Sequence, residues 1–133
     1  MTEHRHVRVE EVMSRNVRAI SPLETVATAI DLMRQHNVSS LVVERRDEHD
    51  EYGLLVVSDI ARVVIAGNRA PARVNVYEVM SKPVINLPAE MDIRYAVQLL
   101  VKFGLSRALV VDHDRRPVGL VTIRDMVLRY SEA

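Results

Sequence analysis

Two near-copies of one pattern lie in this chain, and that repeat constrains the fold more than any other feature. Glu11-Val12-Met13-Ser14 returns 67 residues later as Glu78-Val79-Met80-Ser81. Val17 then matches Val84, Ala29 matches Ala96, Leu32 matches Leu99, and Ser39 matches Ser106. Leu41-Val42-Val43 returns as Leu109-Val110-Val111, Gly53-Leu54 as Gly119-Leu120, and Asp59 as Asp125. The spacing slips by one residue either way around residues 44–52, where a surface hairpin absorbs insertions. Two copies are too few for a solenoid, which needs about three. The repeat therefore predicts a pseudo-symmetric pair.

Each copy carries the same run of signals. A short extended stretch, Val17–Ile20 in the first copy, leads to Ser21-Pro22-Leu23-Glu24. That tetrapeptide predicts a helix start, with Ser21 as cap, Pro22 at the first helical position and Glu24 completing a capping box. Val26, Ala29, Ile30 and Met33 follow at helical spacing, and Ile93, Ala96, Val97 and Leu100 repeat that stripe. Asn37 and Gly104 stand just past these helices, and both residue types tolerate a left-handed C-terminal cap. Leu41–Glu44 with Leu54–Val57, and Leu109–Asp112 with Leu120–Ile123, are β-branched runs separated by polar hairpins, hence paired strands. Ser58–Ala66 and Arg124–Tyr130 predict a closing helix. The repeats are placed at 7–67 and 76–132, joined by a linker at 68–75. One copy of about 60 residues buries little core alone, so the two are expected to pack as one globule. The expected class is α+β, an α/β-type sandwich of two strand-helix-strand-strand-helix units.

Composition excludes several alternatives. Among 133 residues, 18 Lys+Arg balance 18 Asp+Glu, which removes the bulk attraction that non-specific nucleic-acid binding needs. Without cysteine there is no disulfide scaffold, cysteine nucleophile or thiolate metal site. Apolar runs such as Leu54–Val57 fall far short of the roughly 18 residues of a membrane span, and the first residues show no hydrophobic signal core. The expectation is a soluble, cytoplasmic protein with no membrane or nucleic-acid partner.

The repeated Val-Met-Ser-x-x-Val, the Asn37-Val38-Ser39-Ser40-Leu41-Val42-Val43 and Gly104-Leu105-Ser106-Arg107-Ala108-Leu109-Val110 turns, and the closing Gly-Leu-x-x-x-x-Asp runs resemble the CBS domain (cystathionine-β-synthase type). The resemblance covers nearly the whole chain. It implies a tandem pair packed through its sheets, leaving two equivalent clefts that in many members bind AMP, ADP, ATP or S-adenosylmethionine. It also implies a regulatory module, not a catalyst, that commonly forms a homodimer.

Family sites use a [Ser/Thr]-x-x-Asp motif at the start of the last helix, here Thr122-Ile123-Arg124-Asp125. A carboxylate can accept both ribose hydroxyls, the threonine adds a hydrogen bond, and a helix N-terminus favours phosphate. The same spacing is also an N-cap arrangement. The first copy has Val56-Val57-Ser58-Asp59, without the hydroxyl. Carried over by position, one cleft joins Thr122, Arg124 and Asp125 to Asn16, Val17, Val38, Ser39 and Ser40. The other joins Ser58 and Asp59 to Lys82, Val84, Leu105, Ser106 and Arg107. Arg107 sits where some members place a phosphate-binding basic residue, and is equally read as a solvated strand-start arginine. The first cleft is preferred for nucleoside recognition, with or without Mg²⁺.

The remaining residues carry less. His4 and His6 could chelate a metal but read as a terminal tail. His49 and His113 fall in hairpins, His36 fits a helix C-terminus, and residues 44–51 read as a solvated hairpin tip. No catalytic constellation, metal site or resident cofactor is expected. Ile60, Val63 and Val64 are taken as a stripe that a partner copy would cover. The leading expectation is a stand-alone sensor of an adenosine-containing ligand acting on a separately encoded protein. The alternative is a ligand-free dimerisation or protein-interaction module.

Overall fold

The computed structural model describes residues 6–82 and 84–131. Its elements are β1 (Ala19–Ile20), α1 (Val26–His36), β2 (Ser40–Val43), β3 (Gly53–Val56) and α2 (Val57–Ile60), then β4 (Asn86–Pro88), α3 (Ile93–Lys102), β5 (Arg107–Val111), β6 (Pro117–Thr122) and α4 (Ile123–Tyr130). They form two three-stranded sheets, ordered β1-β2-β3 and β4-β5-β6. In each, the first pair is parallel across a helical connection and the second is an antiparallel hairpin. The α+β class and the repeated strand-helix-strand-strand-helix order are those read from the sequence.

The apolar stripes do what their spacing implies. Val26, Ala29 and Met33 are the buried residues of α1, and Ile93, Ala96 and Leu100 those of α3. Alternate strand residues meet them: Leu41, Val43 and Leu55 in one core, Ala108, Val110 and Val121 in the other. Both helices end on the expected left-handed residue, Asn37 at φ 53° and Gly104 at φ 65°. The amide of the next residue then donates back into the helix, Val38 to Met33 at 3.0 Å and Leu105 to Leu100 at 2.9 Å.

The helix starts differ from expectation. Thr25, not Ser21, caps α1, its hydroxyl accepting from the Thr28 amide at 3.2 Å. Ser21 Oγ accepts from the Leu23 amide in a tight turn. The cause lies in the backbone: the Val26 amide donates to Val74 O at 2.8 Å and the Val76 amide to Glu24 O at 2.8 Å. Residues 22–26 are thus held beside a second segment and cannot coil. The same bonds recur as Ile93 to Val7 O at 2.8 Å and Val9 to Met91 O at 2.8 Å, and Asp92 caps α3.

These straps show how each unit is assembled. The chain divides into two compact units, one of residues 18–84 and the other of residues 6–17 with 85–131 among those described. We call them the Asp59 unit and the Asp125 unit. Val7 and Val9, from the start of the first repeat, are fully buried in the core of the second repeat's elements. Val74 and Val76 are buried in the first repeat's core in the same way. Ser14 exchanges backbone hydrogen bonds with Leu120 at 2.8 and 3.0 Å, and Ser81 with Leu54 at 2.9 and 3.0 Å. Residues 68–75, read as a linker, contain the 3-10 turn Pro71–Arg73 and the buried Val74.

The closing helix of the Asp59 unit also departs from its regular appearance in sequence, continuing from α2 as a π-helical turn, Ala61–Ile65. Ile60 and Val64 lie buried in that unit's own core and Val63 packs against it. Two of the three are core residues and the third is half-buried against them, which corrects the reading of them as a partner-facing stripe.

The repeated methionine and glycine meet across the repeats. A Cβ on Gly119 would overlap Met13 Sδ and lie 2.9 Å from Ser14 O, whereas one on Gly53 would lie 3.0 Å from Met80 Sδ. Overpacking of this kind costs about 1–3 kcal/mol. Gly119→Ala is therefore expected to destabilise the protein by that amount in urea unfolding, and Gly53→Ala by less. Equal stability of Gly119→Ala and wild type would contradict the packing described.

Candidate ligand-binding site

Thr122 ends β6 and caps α4, its Oγ1 accepting from the Asp125 amide at 3.1 Å. The cap therefore positions Asp125 in the first turn. The hydroxyl accepts in that bond and keeps its own proton to donate. The Asp125 carboxylate has no hydrogen bond or ion pair among the described residues. Ser106 O accepts from the Ile123 amide at 2.9 Å, which brings the turn before β5 against the start of α4. Arg107, the first residue of β5, is the register partner of Thr122. Directly opposed side chains leave an antiparallel pair on the same face, with Cβ atoms about 5 Å apart. The Ser14–Leu120 bridge lays the segment leading to Asn16 and Val17 along β6, two residues before Thr122.

The repeat-related site in the Asp59 unit has the same frame and different chemistry. Ser39 O accepts from the Val57 amide at 3.0 Å, and Ser40 is the register partner of Val56. Val56 offers no hydroxyl, and α2 has no side-chain cap. Asp59 is already engaged by Arg62 at 3.2 Å, a position that Leu128 holds in the other copy.

The expected groupings are thus distributed over both units. Of the first set, Asn16, Val17, Thr122, Arg124 and Asp125 lie in the Asp125 unit, and Val38, Ser39 and Ser40 in the Asp59 unit. Of the second, Ser58, Asp59, Lys82 and Val84 lie in the Asp59 unit, and Leu105, Ser106 and Arg107 in the Asp125 unit. Within each unit the motif meets the turn of its own repeat, a pairing the sequence carry-over did not contain. The register of β5 on β6, not readable from spacing, is what sets Arg107 beside Thr122.

Lys82 has local partners. Its ammonium donates to Asp50 Oδ1 at 2.7 Å and to Glu51 O at 3.1 Å. Asp50 also accepts from the Arg46 amide at 2.9 Å, so residue 50 anchors the hairpin read as wholly solvated. Lys82, Arg46, Pro22, Leu23, Tyr77 and Met80 line a cavity of about 460 Å³. A second groove of about 360 Å³, between α1 and the closing helix of the same unit, is almost entirely apolar and unsuited to a nucleotide.

His6 donates toward buried Asp92 at 2.9 Å, and His4 lies outside the described residues. His49 and His113 pair with Glu48 and Glu90 at the surface. Among the described residues, no group of three or more His, Cys, Asp or Glu could hold a metal ion. None of their helices is long and apolar enough to cross a membrane.

The CBS domain family matches twice, at residues 9–66 and 76–132, and the chain belongs to that family. It is 34% identical over 124 residues to an uncharacterized protein, MK0525, of Methanopyrus kandleri, covering 92% of this chain and 62% of that one. The chain thus spans less than two thirds of that relative's length. Its fold is similar to the hexameric CBS-CP12 protein from bloom-forming cyanobacteria, with TM-score 0.87, 31% identity, and coverage of 93% of this chain and 68% of that one. It is also similar to the CBS domain pair of protein MJ0100, solved in complex with 5′-methylthioadenosine and S-adenosyl-L-methionine, with TM-score 0.76, 25% identity, and coverage of 93% and 99%.

The Lys82 ammonium, and then the Arg46 amide, hold the Asp50 carboxyl well below the usual carboxylate range. A depressed folded-state pKa adds stability above the unfolded value of about 3.9, and that stability is lost as pH falls toward the folded value. Lys82→Met should therefore move the Asp50 titration up toward the ordinary range in a carboxyl NMR pH series. An unmoved midpoint would show that the ion pair is not its cause.

Proposed function

We propose that this CBS pair is a regulatory module that binds an adenosine-containing ligand, AMP, ADP, ATP or S-adenosylmethionine, with Mg²⁺ accompanying the more highly phosphorylated forms. The observation that carries the reading is Asp125, an unpartnered carboxylate placed by the Thr122 cap in the first turn of α4. The MJ0100 pair, bound to two adenosine derivatives, supports the same class of ligand. Asp125 accepts the ribose hydroxyls, and the Thr122 hydroxyl donates to the ligand. Ser106, Arg107 and Arg124, with Asn16 and Val17 on the adjoining segment, form the surroundings. In the Asp59 unit the corresponding residues are Ser58, Asp59 and Val38–Ser40, with Lys82 and Val84 on the segment that follows. Val56 and the Asp59–Arg62 pair make this the weaker ribose site.

Such a ligand alters signalling only if it binds one arrangement of the pair or its homodimer better than another. The proposed setting is the cytoplasm, and the role is one of binding and not catalysis. A second reading, a ligand-free dimerisation or protein-interaction module, is favoured by the exposed apolar side chains Val101, Phe103, Val127 and Leu128.

A thermal-shift panel of AMP, ADP, ATP and S-adenosylmethionine against a guanine nucleotide separates the two. Ligand at 100 times its Kd adds about 2.7 kcal/mol to the native state, a midpoint rise on the order of 5 °C for a domain of this size. A rise confined to adenine ligands is expected, and a flat panel would replace the sensor reading with the scaffold one. Asp125→Ala should weaken adenosine binding about tenfold or more, as loss of a charged hydrogen-bond acceptor does, and Asp59→Ala should do so by less. Equal effects of the two variants would remove the assigned difference between the sites.

A further inference from the structure

We infer that the Asp59 unit binds a small organic monoanion with an apolar, ring-sized body, such as an aromatic carboxylate, at the hairpin end of β3. The site is the cavity of about 460 Å³ lined by Pro22, Leu23, Arg46, Tyr77, Met80 and Lys82. That volume is typical of small-molecule sites, which combine apolar walls with a few polar groups. Lys82 bonds to Asp50 and Glu51, which precede β3, whereas Asp59 follows it. The cavity is therefore separate from the helix start that carries Asp59.

Backbone bonds hold its walls. The Tyr77 amide donates to Pro22 O at 3.1 Å, the Val76 amide donates to Glu24 O at 2.8 Å, and Ser81 pairs with Leu54 just before Lys82. On this fixed frame Tyr77 and Leu23 remain 51% and 73% exposed. The Asp125 unit repeats the frame, its Glu10 amide donating to Ala89 O at 3.0 Å and its Val9 amide to Met91 O at 2.8 Å. There Glu10 and Glu90 hold the positions of Tyr77 and Leu23. The frame thus accepts carboxylates at both places, and folding does not explain the exposed apolar pair. Exposed apolar side chains grouped in this way mark a binding surface.

The charges define the head group. Asp50 accepts from both Lys82 and Arg46, and those bonds hold its carboxyl well below the usual range, so it is ionised at neutral pH. Two lining cations against this one bonded carboxylate leave a single positive charge. Lys82 directs two of its three donors to Asp50 Oδ1 and Glu51 O, and Arg46 directs Nε to Asp50 Oδ2. The remaining N–H groups suit one carboxylate or sulfonate, and the Tyr77 ring suits an aromatic body. The phosphate of AMP, as a dianion, exceeds that balance.

Amide NMR titration of the full chain with 1-naphthylacetate and its neutral amide, 1-naphthylacetamide, tests the inference. Wild type is expected to bind the acid about ten- to hundredfold more tightly than the amide, the range for charge-assisted hydrogen bonds, with shifts at Leu23, Arg46, Tyr77 and Lys82. Arg46→Gln, at an exposed side chain, should reduce the acid-to-amide ratio to within about threefold. Tyr77→Glu and Leu23→Glu, which copy the residues of the other repeat, should each weaken the acid at least tenfold while AMP binds as in wild type. Equal affinity for acid and amide, unchanged acid affinity in both glutamate variants, or shifts confined to the apolar groove beside α1 would overturn the inference. Failure of the acid to bind would also overturn it and leave the adenosine reading standing. Failure of AMP alone would overturn that reading and leave this cavity as a site.

Discussion

The backbone hydrogen bonds between the opening segment of one repeat and the last hairpin of the other are the constraint on which the structure depends. Ser14 pairs with Leu120 and Ser81 with Leu54, while Val7 and Val74 accept from the first amides of α3 and α1. The valines of these straps are fully or almost fully buried. A strand edge and a helix start are thereby both satisfied by chain from the other repeat. Unpaired backbone groups in such places carry a cost comparable to a lost hydrogen bond. Neither repeat completes its own unit, so the tandem arrangement is a folding requirement as well as a duplication.

The same assembly determines what surrounds the Thr122–Asp125 motif. Asn16 and Val17 come to the Asp125 unit with the Ser14–Leu120 bridge, although they belong to the first repeat. Capping and binding are compatible at Thr122: the oxygen accepts from the Asp125 amide, and the hydroxyl proton is left to donate. The cap supplies the rigidity that a recognition site needs from its supporting residues. Four substitutions between otherwise equivalent positions, Thr122 for Val56, Arg107 for Ser40, Arg124 for Ser58 and Leu128 for Arg62, turn one frame into two chemically different surfaces.

Much of the fold was legible because it rests on local rules. The stripes Val26-Ala29-Met33 and Ile93-Ala96-Leu100, and the left-handed residues Asn37 and Gly104, depend on periodicity and on a single backbone angle. What was not legible depends on partners distant in sequence. Ser21-Pro22-Leu23-Glu24 satisfies every helix-start rule, yet Val74 and Val76 hold residues 24–26 by their backbones. That Arg107 stands beside Thr122 follows from the register of β5 on β6, which no spacing reveals. Asp50 reads as one more charge in a mixed-sign hairpin, and its partner Lys82 lies 32 residues away. The repeated Met13/Met80 and Gly53/Gly119 were the signal that could have revealed the exchange, since each methionine covers the glycine of the other copy.

Backbone amide NMR during an AMP titration reads the proposed site residue by residue. Saturable shifts that share one binding curve are expected at Asn16, Val17, Ser106, Arg107 and Thr122 through Asp125, residues drawn from both repeats but from one unit. Shifts confined to the Ser39 and Asp59 region, or absent from Asn16 and Val17 while present at Asp125, would contradict it.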